Sequence, residues 1–95
     1  MTDLEISKAL ALAIGHTTAH IGWLSGEEQA CLVDYMGYLH SFDYRDWNVI
    51  GPIAAKYDCF PVKDMYSEWV AGKYPYVYAD TPQKAIALAV IESVK

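Results

Sequence analysis

The sequence predicts an α+β domain in which helices cover a mainly antiparallel sheet of two hairpins, in the order α-β-β-α-β-β-α. Both ends of the chain have apolar segments with helix-capping residues, and two internal segments combine aromatic and β-branched residues with turn signals. A third helical segment lies between the two predicted hairpins. Because the chain has 95 residues, we expect a single domain spanning residues 1–95.

The N-terminal segment TDLEISKALALAIG predicts a helix over residues 3–14. Thr2 and Glu5 have the spacing of a capping box, in which each side chain bonds the backbone amide of the other residue. Apolar residues recur at helical spacing along the segment, and Gly15 is suited to the left-handed conformation that ends many helices.

The first hairpin is predicted between residues 19 and 35, with Ser25 and Gly26 in its turn. Its strands are expected at Ala19–Leu24 and Gln29–Tyr35. Gly37 follows the second strand and indicates either a bulge or the point at which the chain leaves the sheet.

The segment FDYRDWNVIGPIAAKYDCFPV, residues 42–62, reads as a helix interrupted by glycine and proline. Asp43 or Asp46 can cap its start. Proline within a continuous helix would cost about 3 kcal/mol or more. We therefore predict a helical turn over residues 46–50, a break at Gly51 and a new helix over Pro52–Asp58, with a kinked continuous helix as the alternative.

The second hairpin is predicted from strands at Tyr66–Ala71 and Tyr74–Tyr78, with a turn around Gly72 and Lys73. The second of these strands alternates in composition. One face carries Tyr74, Tyr76 and Tyr78, and the other carries Pro75, Val77 and Ala79. The proline predicts that this strand lies at an edge of the sheet.

The C-terminal segment DTPQKAIALAVIESVK has the clearest helix start in the chain. Asp80 or Thr81 can act as the cap, and Pro82 occupies the first turn, where its missing amide costs nothing. The small apolar residues that follow predict close packing against a sheet.

The net charge of −5 counts against direct binding of nucleic acid, which requires clustered cations. The seven cations occur singly along the sequence. An acidic surface instead suits a cationic partner protein. The chain has no segment typical of a signal peptide or membrane span, and its two cysteines lack CxxC spacing, so we expect no membrane association and a reducing cytoplasm.

Catalytic and metal-binding patterns are weak. His16 and His20 have the i, i+4 spacing of metal ligands on a helix, but Gly15 is expected to end the helix before them. His40, Cys31 and Cys59 could supply further ligands to such a metal ion. A buried, inert thiol is the ordinary expectation for Cys59 beside two aromatic residues. We predict a non-enzymatic protein without metal or cofactor.

Aromatic residues are the strongest functional signal, because the chain has eight tyrosines and three tryptophans, types enriched at binding hot spots. The predicted partner-binding residues are Tyr44, Trp47, Trp69, Tyr74, Tyr76, Tyr78, Glu27 and Glu28. If the helices cover Val77 and Ala79, the tyrosine row forms an exposed platform beside Trp69. The opposite arrangement would place the row under the helices.

Three segments, DLEISKALALAIG, FDYRDWNVIGPIAAKYDCFPV and ADTPQKAIALAVI, cover about half of the chain. Their DW…GPI…TP…AIALAV order resembles the NinX-like family of lambdoid phages. The resemblance implies a phage-encoded protein that acts in the cytoplasm of a bacterial host, without an assigned activity or catalytic residues.

Two functional hypotheses follow from the aromatic content and the resemblance. The first is a protein that inhibits or modulates a host protein, including counter-defence inhibition of the anti-CRISPR kind, by analogy with small phage accessory proteins. The second is a small-ligand or nucleotide-signal binder, a sponge, whose pocket forms at an oligomer interface. Self-association as a homodimer remains open in both hypotheses.

Overall fold

The computed structural model describes residues 1–16, 20–24, 26–65, 68–72 and 76–94. In this part of the chain the element order is α-β-β-β-α-β-β-β-α, which confirms the predicted α+β class. The helices are α1 (Asp3–Ala13), α2 (Trp47–Tyr57) and α3 (Pro82–Ser93). The strands are β1 (His20–Leu24), β2 (Glu27–Val33), β3 (Leu39–Ser41), β4 (Val62–Lys63), β5 (Trp69–Ala71) and β6 (Val77–Ala79).

The strands form two antiparallel three-stranded sheets rather than one sheet. The first sheet has the order β1-β2-β3, and the second has the order β4-β5-β6. Both predicted hairpins are present, but each has an additional strand, β3 or β4, that the sequence reading missed. Strand β3 has three residues and β4 has two, and segments this short cannot show an alternating pattern.

The helices lie between the two sheets. Helix α1 packs on β1 and β2, α3 packs on β5 and β6, and both α1 and α2 pack against α3. The most deeply buried aliphatic side chains come from all three helices. They are Ile6, Leu10, Ile50, Ile86 and Val90. The long axis of the molecule measures 44 Å.

The caps of α1 and α3 form as the sequence predicts. Thr2 Oγ1 accepts a hydrogen bond from the Glu5 amide at 3.1 Å, and the Glu5 carboxylate accepts one from the Thr2 amide at 3.2 Å. These hydrogen bonds lower the pKa of the Glu5 carboxyl. At α3, Thr81 Oγ1 accepts from the Lys84 amide at 3.2 Å, so Thr81 rather than Asp80 is the cap.

Helix α2 is continuous from Trp47 to Tyr57, and the predicted break at Gly51 is wrong. Pro52 lies inside the helix and leaves the Asn48 carbonyl without its usual helical donor. Both residues are exposed, so water can reach this carbonyl. Packing of the buried residues Ile50 and Ile53 on either side of the proline offsets its cost.

The strand bounds differ slightly from those predicted. Strand β1 pairs with β2 and aligns Trp23 with Glu28. Ala19, the predicted first residue of β1, lies outside the described residues. Gly37 has φ 87° and belongs to the turn that returns the chain as β3, so it is not a bulge. In the second sheet, the predicted starts at Tyr66 and Tyr74 also lie outside the described residues, and β6 is an edge strand as predicted.

Gly72 brings the second sheet close to α3. It follows β5 with φ 86°, and a Cβ at this position would lie 3.0 Å from the Cβ of Ala89. A side chain at this position would therefore be strained by the backbone conformation and crowded against α3. The small residues predicted for α3 allow this approach, with Ala85, Ala87 and Ala89 all buried.

Candidate protein-binding surfaces

The second sheet carries an exposed apolar surface on the side away from α3. We call this surface the second-sheet face and define it by Phe60, Val62, Val70, Tyr76 and Tyr78. Strand pairing aligns Val70 with Val62 on one side and with Tyr78 on the other. Phe60 and Tyr76 line an open groove together with the two valines. The exposed fractions are 58% for Phe60, 67% for Val62 and 54% for each tyrosine.

The predicted tyrosine row therefore takes the exposed arrangement wherever the structure describes it. Val77 and Ala79 pack against the core, because α3 covers their face of β6. Tyr76 and Tyr78 consequently point to the opposite side of the strand. The third residue of the row, Tyr74, lies outside the described residues.

Trp69 does not lie beside the tyrosine row. It pairs with Ala79 across the strands and is partly buried against the core, on the α3 side of the sheet. The Lys63 ammonium lies 5.8 Å from the centre of its ring, a cation–π distance. The prediction that Trp69 extends the tyrosine platform is corrected, because strand pairing assigns the two to opposite faces.

One end of the second-sheet face is acidic. Asp64, Met65, Glu68 and Tyr78 line a shallow hollow there. Asp64 Oδ1 accepts a hydrogen bond from the Glu68 amide at 2.9 Å, and the Asp64 amide donates to the Glu68 carbonyl at 2.8 Å. These two hydrogen bonds hold the carboxylates of Asp64 and Glu68 beside the exposed side chains of Met65 and Tyr78.

Tyr44 was predicted to contact a partner, but only 2% of its surface is exposed. Its hydroxyl donates a hydrogen bond to Asp3, and its amide donates to Ser7 Oγ at 3.1 Å. Burial and the bond to the Asp3 carboxylate raise the pKa of Tyr44 above its ordinary value. In the folded chain Tyr44 joins the segment before α2 to α1, so the prediction of a surface role is corrected.

Arg45 extends this connection at the surface. Its guanidinium bonds Asp43 Oδ2 at 2.8 Å and Asp3 Oδ2 at 3.3 Å, and its carbonyl accepts from Gln83 at 3.2 Å. The guanidinium lowers the pKa of Asp43, and the Asp43 carboxylate raises that of Arg45. Of the two helix caps that the sequence predicts, Asp43 and Asp46, it is Asp46 that caps α2 by accepting from the Asn48 amide.

The remaining predicted residues lie away from the second-sheet face. Trp47 is the first residue of α2 and is 51% exposed. Glu27 and Glu28 are exposed at the start of β2, in the first sheet. Because α1 and α3 lie between the two sheets, these glutamates do not surround Tyr76 and Tyr78.

Sequence reasoning missed the turn between β2 and β3, residues 34–38. Tyr35 is 97% exposed, and Met36 and Tyr38 are also largely exposed. Asp34 Oδ1 accepts hydrogen bonds from the Met36 and Tyr38 amides at 2.9 and 3.0 Å. The spacing of Asp34 and Gly37 is typical of such a turn and was the available signal.

The metal and thiol candidates do not form a cluster in the described part of the chain. There, no group of three or more His, Cys, Asp or Glu residues is placed to hold a metal ion. The His16 ring makes an edge contact with Phe42, and the His20 side chain lies outside the description. Cys31 and Cys59 are both buried thiols, and the Cys59 thiol donates a hydrogen bond to the Tyr57 carbonyl at 3.3 Å.

The fold and surfaces define a small α+β protein with two exposed sheet faces on either side of a helical core. No family model, curated protein or solved structure matches the chain. Within the described ranges, every helix is too short or too polar to cross a bilayer.

Proposed function

We propose that this chain is a non-enzymatic protein-binding module that inhibits or modulates a partner protein through the second-sheet face. The observation that carries the proposal is the exposure of Phe60, Val62, Tyr76 and Tyr78 on one side of one sheet. The NinX-like resemblance supports a phage origin, a bacterial host protein as partner, and the host cytoplasm as location. Counter-defence inhibition is the form of this function that the analogy favours.

The chemistry of the surface favours a protein partner. Tyrosine and phenylalanine bury a large apolar area with few rotatable bonds, and the tyrosine hydroxyl can still find a polar partner. A sheet holds these side chains in fixed positions, which reduces the entropy lost on binding. Asp64 and Glu68 add negative charge at one end, so a matching partner surface would be apolar with cations at its border.

The nucleotide-signal alternative has less support on this face. The groove beside Tyr76 offers aromatic rings for stacking, but a phosphate group also needs cations or converging amides. The charged residue among its described lining residues is Asp64, a carboxylate. This charge would oppose an anionic ligand.

Affinity capture from a lysate of the bacterial host, with the purified chain as bait, tests the proposal. We expect the wild type to retain a specific protein that a Tyr76→Ala, Tyr78→Ala double variant loses. The double variant should remain folded, with a loss of about 1–2 kcal/mol in the free energy of unfolding, because each tyrosine is half-buried in or beside a strand. Capture by the double variant at the wild-type level would refute the assignment to this face.

Tyr35→Ala is the matched control, since it removes a more exposed tyrosine from the turn between β2 and β3. This variant should retain the same protein as the wild type. Trp47→Ala in the same assay determines whether this predicted residue belongs to the interface. A bound small molecule found by mass spectrometry of the purified chain, with no captured protein, would favour the ligand-binding alternative.

A further inference from the structure

Strand β1 forms an edge of the first sheet that lacks the usual protection against pairing. It pairs with β2 on one side, and no described strand lies on its other side. It has five residues, whereas the other edge strands of the described sheets, β3, β4 and β6, have three or fewer. Proteins commonly block an edge by short length, charged residues or proline. The β1 sequence HIGWL is longer and contains no lysine, arginine, carboxylate or proline.

Two apolar side chains at this edge, Ile21 and Trp23, are left uncovered by the helices. Ile21 pairs with Ala30 and Trp23 pairs with Glu28, so these four side chains lie on one face of the sheet. That face is directed towards α1, because Ala30 is buried and lines a groove with Ser7. Even so, Ile21 is 43% exposed and Trp23 is 69% exposed. The edge therefore offers apolar area that a neighbouring strand would cover.

Gly22 lies between these residues, and nothing in the described part of the chain requires a glycine there. Its backbone is not left-handed. A Cβ at this position would lie 3.5 Å from Cys31 Sγ and 3.6 Å from Leu39 Cδ1, which are ordinary contact distances. Glycine within a strand often marks a point of close approach by another backbone. This glycine therefore fits an approaching strand at the β1 edge.

The spacing of β1 makes the strand complementary to a second copy of itself. A two-fold axis at Gly22 pairs all five residues in the antiparallel direction and sets Ile21 opposite Trp23 of the second copy. An axis at Ile21 or at Trp23 would pair only three residues. An axis between two residues would set side chains from opposite faces against each other. The axis at Gly22 is thus the register that uses the whole strand.

In this register Ile21 and Trp23 of both copies form one apolar cluster of aromatic and β-branched cross-strand pairs. Glu28 borders the cluster on each side. The two Glu28 positions are three strand spacings apart, about 14 Å, which exceeds the Debye length at physiological salt. Carboxylates therefore do not meet across the strand pair, although each chain has a net charge of −5.

From the open edge, the uncovered side chains and the self-complementary register, we propose that the chain forms a two-fold dimer in which β1 pairs with β1 of a second copy. The two first sheets would join as one continuous sheet. One strand pair buries less than the roughly 1,200 Å² of stable complexes, so we expect a Kd of about 1 to 100 μM. The second-sheet face lies outside this interface, so the dimer would present it twice. Only this last consequence rests on the proposed function.

Sedimentation equilibrium of the purified full chain tests the dimer. We expect a monomer–dimer equilibrium for the wild type and an association at least about tenfold weaker for Trp23→Lys, because two like charges would replace part of the apolar cluster. The lysine can pair with Glu28 of its own chain, so this variant should stay folded, which thermal denaturation checks. Trp47→Lys makes the same change at another exposed tryptophan and should associate like the wild type.

Cysteine cross-linking tests the register. Chains with Ile21→Cys and chains with Trp23→Cys, mixed in a glutathione redox buffer, should give a disulfide-linked dimer in several-fold higher yield than either variant alone. The reason is that positions 21 and 23 face each other between copies, within reach of a disulfide. The native cysteines are both buried and should compete little.

A chain that stays monomeric up to about 1 mM, well above the expected Kd, would overturn the proposal. The same holds for wild-type association of a folded Trp23→Lys variant, or for equal cross-linking of mixed and unmixed samples. A dimer that the Tyr76→Ala, Tyr78→Ala double variant dissociates would assign self-association to the second-sheet face instead. None of these results alters the capture assay of the proposed function, so the two can fail separately.

Discussion

At the residue scale, Tyr44 connects parts of the fold that are distant in sequence. Its hydroxyl bonds Asp3 at the start of α1, and its amide bonds Ser7 one turn later. Ser7 is itself buried, and its hydroxyl satisfies the Tyr44 amide. A tyrosine that the composition assigned to binding thus contributes to the stability of the fold, because its polar atoms already have partners within the chain.

Removal of the Tyr44 hydroxyl should destabilise the protein. Tyr44→Phe is expected to lower the free energy of unfolding by about 1–2 kcal/mol at neutral pH, because it removes a hydrogen bond to a carboxylate. Urea denaturation measures this change. Tyr35→Phe, which alters a fully exposed tyrosine, is the matched control and should leave the stability unchanged.

The raised pKa of Tyr44 also predicts a pH dependence. The unfolded chain loses this proton near pH 10, while the folded chain retains it to higher pH. The stabilisation is therefore complete below about pH 10 and decreases as pH rises above this value. Wild type should lose more stability than Tyr44→Phe over this range, whereas parallel profiles would contradict the role of the buried hydroxyl.

At the element scale, α2 is a continuous helix that contains two unfavourable residues. Gly51 has a helical backbone with open space around the position of a Cβ, and Pro52 is exposed. The buried face of the helix, formed by Ile50, Ile53 and Ala54, supplies the packing that holds it together. No contact in the structure explains the presence of the proline.

Both unfavourable residues should be replaceable with a gain in stability. Gly51→Ala is expected to raise the free energy of unfolding by about 0.5–1 kcal/mol through reduced backbone entropy. Pro52→Ala should raise it by about 1–2 kcal/mol, since the restored helical hydrogen bond exceeds the increase in unfolded-state entropy. Thermal and urea denaturation measure both changes.

Ala55→Gly provides the control within the same helix. Ala55 is exposed, so this change isolates backbone propensity and should cost about 1 kcal/mol. A loss of stability on Pro52→Ala would show that the proline has a favourable contact or a role in the shape of α2.

At the scale of the whole molecule, α3 holds the two halves together. It packs on α1, α2, β5 and β6, and α1 in turn packs on the first sheet. Ile86 and Val90 on this helix are completely buried. This arrangement predicts that residues 1–95 unfold as one cooperative unit, although the two sheets do not pair with each other.

Replacement of a buried side chain of α3 by alanine tests this cooperativity. Ile86→Ala should lower the free energy of unfolding by about 2–5 kcal/mol, as for a buried aliphatic residue. Native-state hydrogen exchange should report a similar loss for amides in β2 and in β5. Leu12→Ala, at an exposed position of α1, is the control with little effect. A loss confined to β5 would indicate two separately folding units.

The sequence predicted the helices better than the sheets, and it predicted least well which aromatic side chains are exposed. The alternation of Tyr76 and Tyr78 with Val77 and Ala79 could be found because alternation of side chains is a local property. The exposure of the two tyrosines depended on whether α3 covered Val77 and Ala79, which alternation could not decide. The turn with Tyr35 was missed because β3 was too short to reveal a hairpin.

Local sequence by itself determined the ends of α1 and α3, because their caps join residues three positions apart, as in Thr2 with Glu5 and Thr81 with Lys84. It also determined the α+β class, because the helical and strand segments have different patterns of apolar residues. Only the tertiary structure decided that α2 continues through Pro52, that Tyr44 is buried, and that each sheet leaves one face exposed. These outcomes depend on contacts between residues far apart in sequence, which pack the three helices against one another and leave the sheets on the outside.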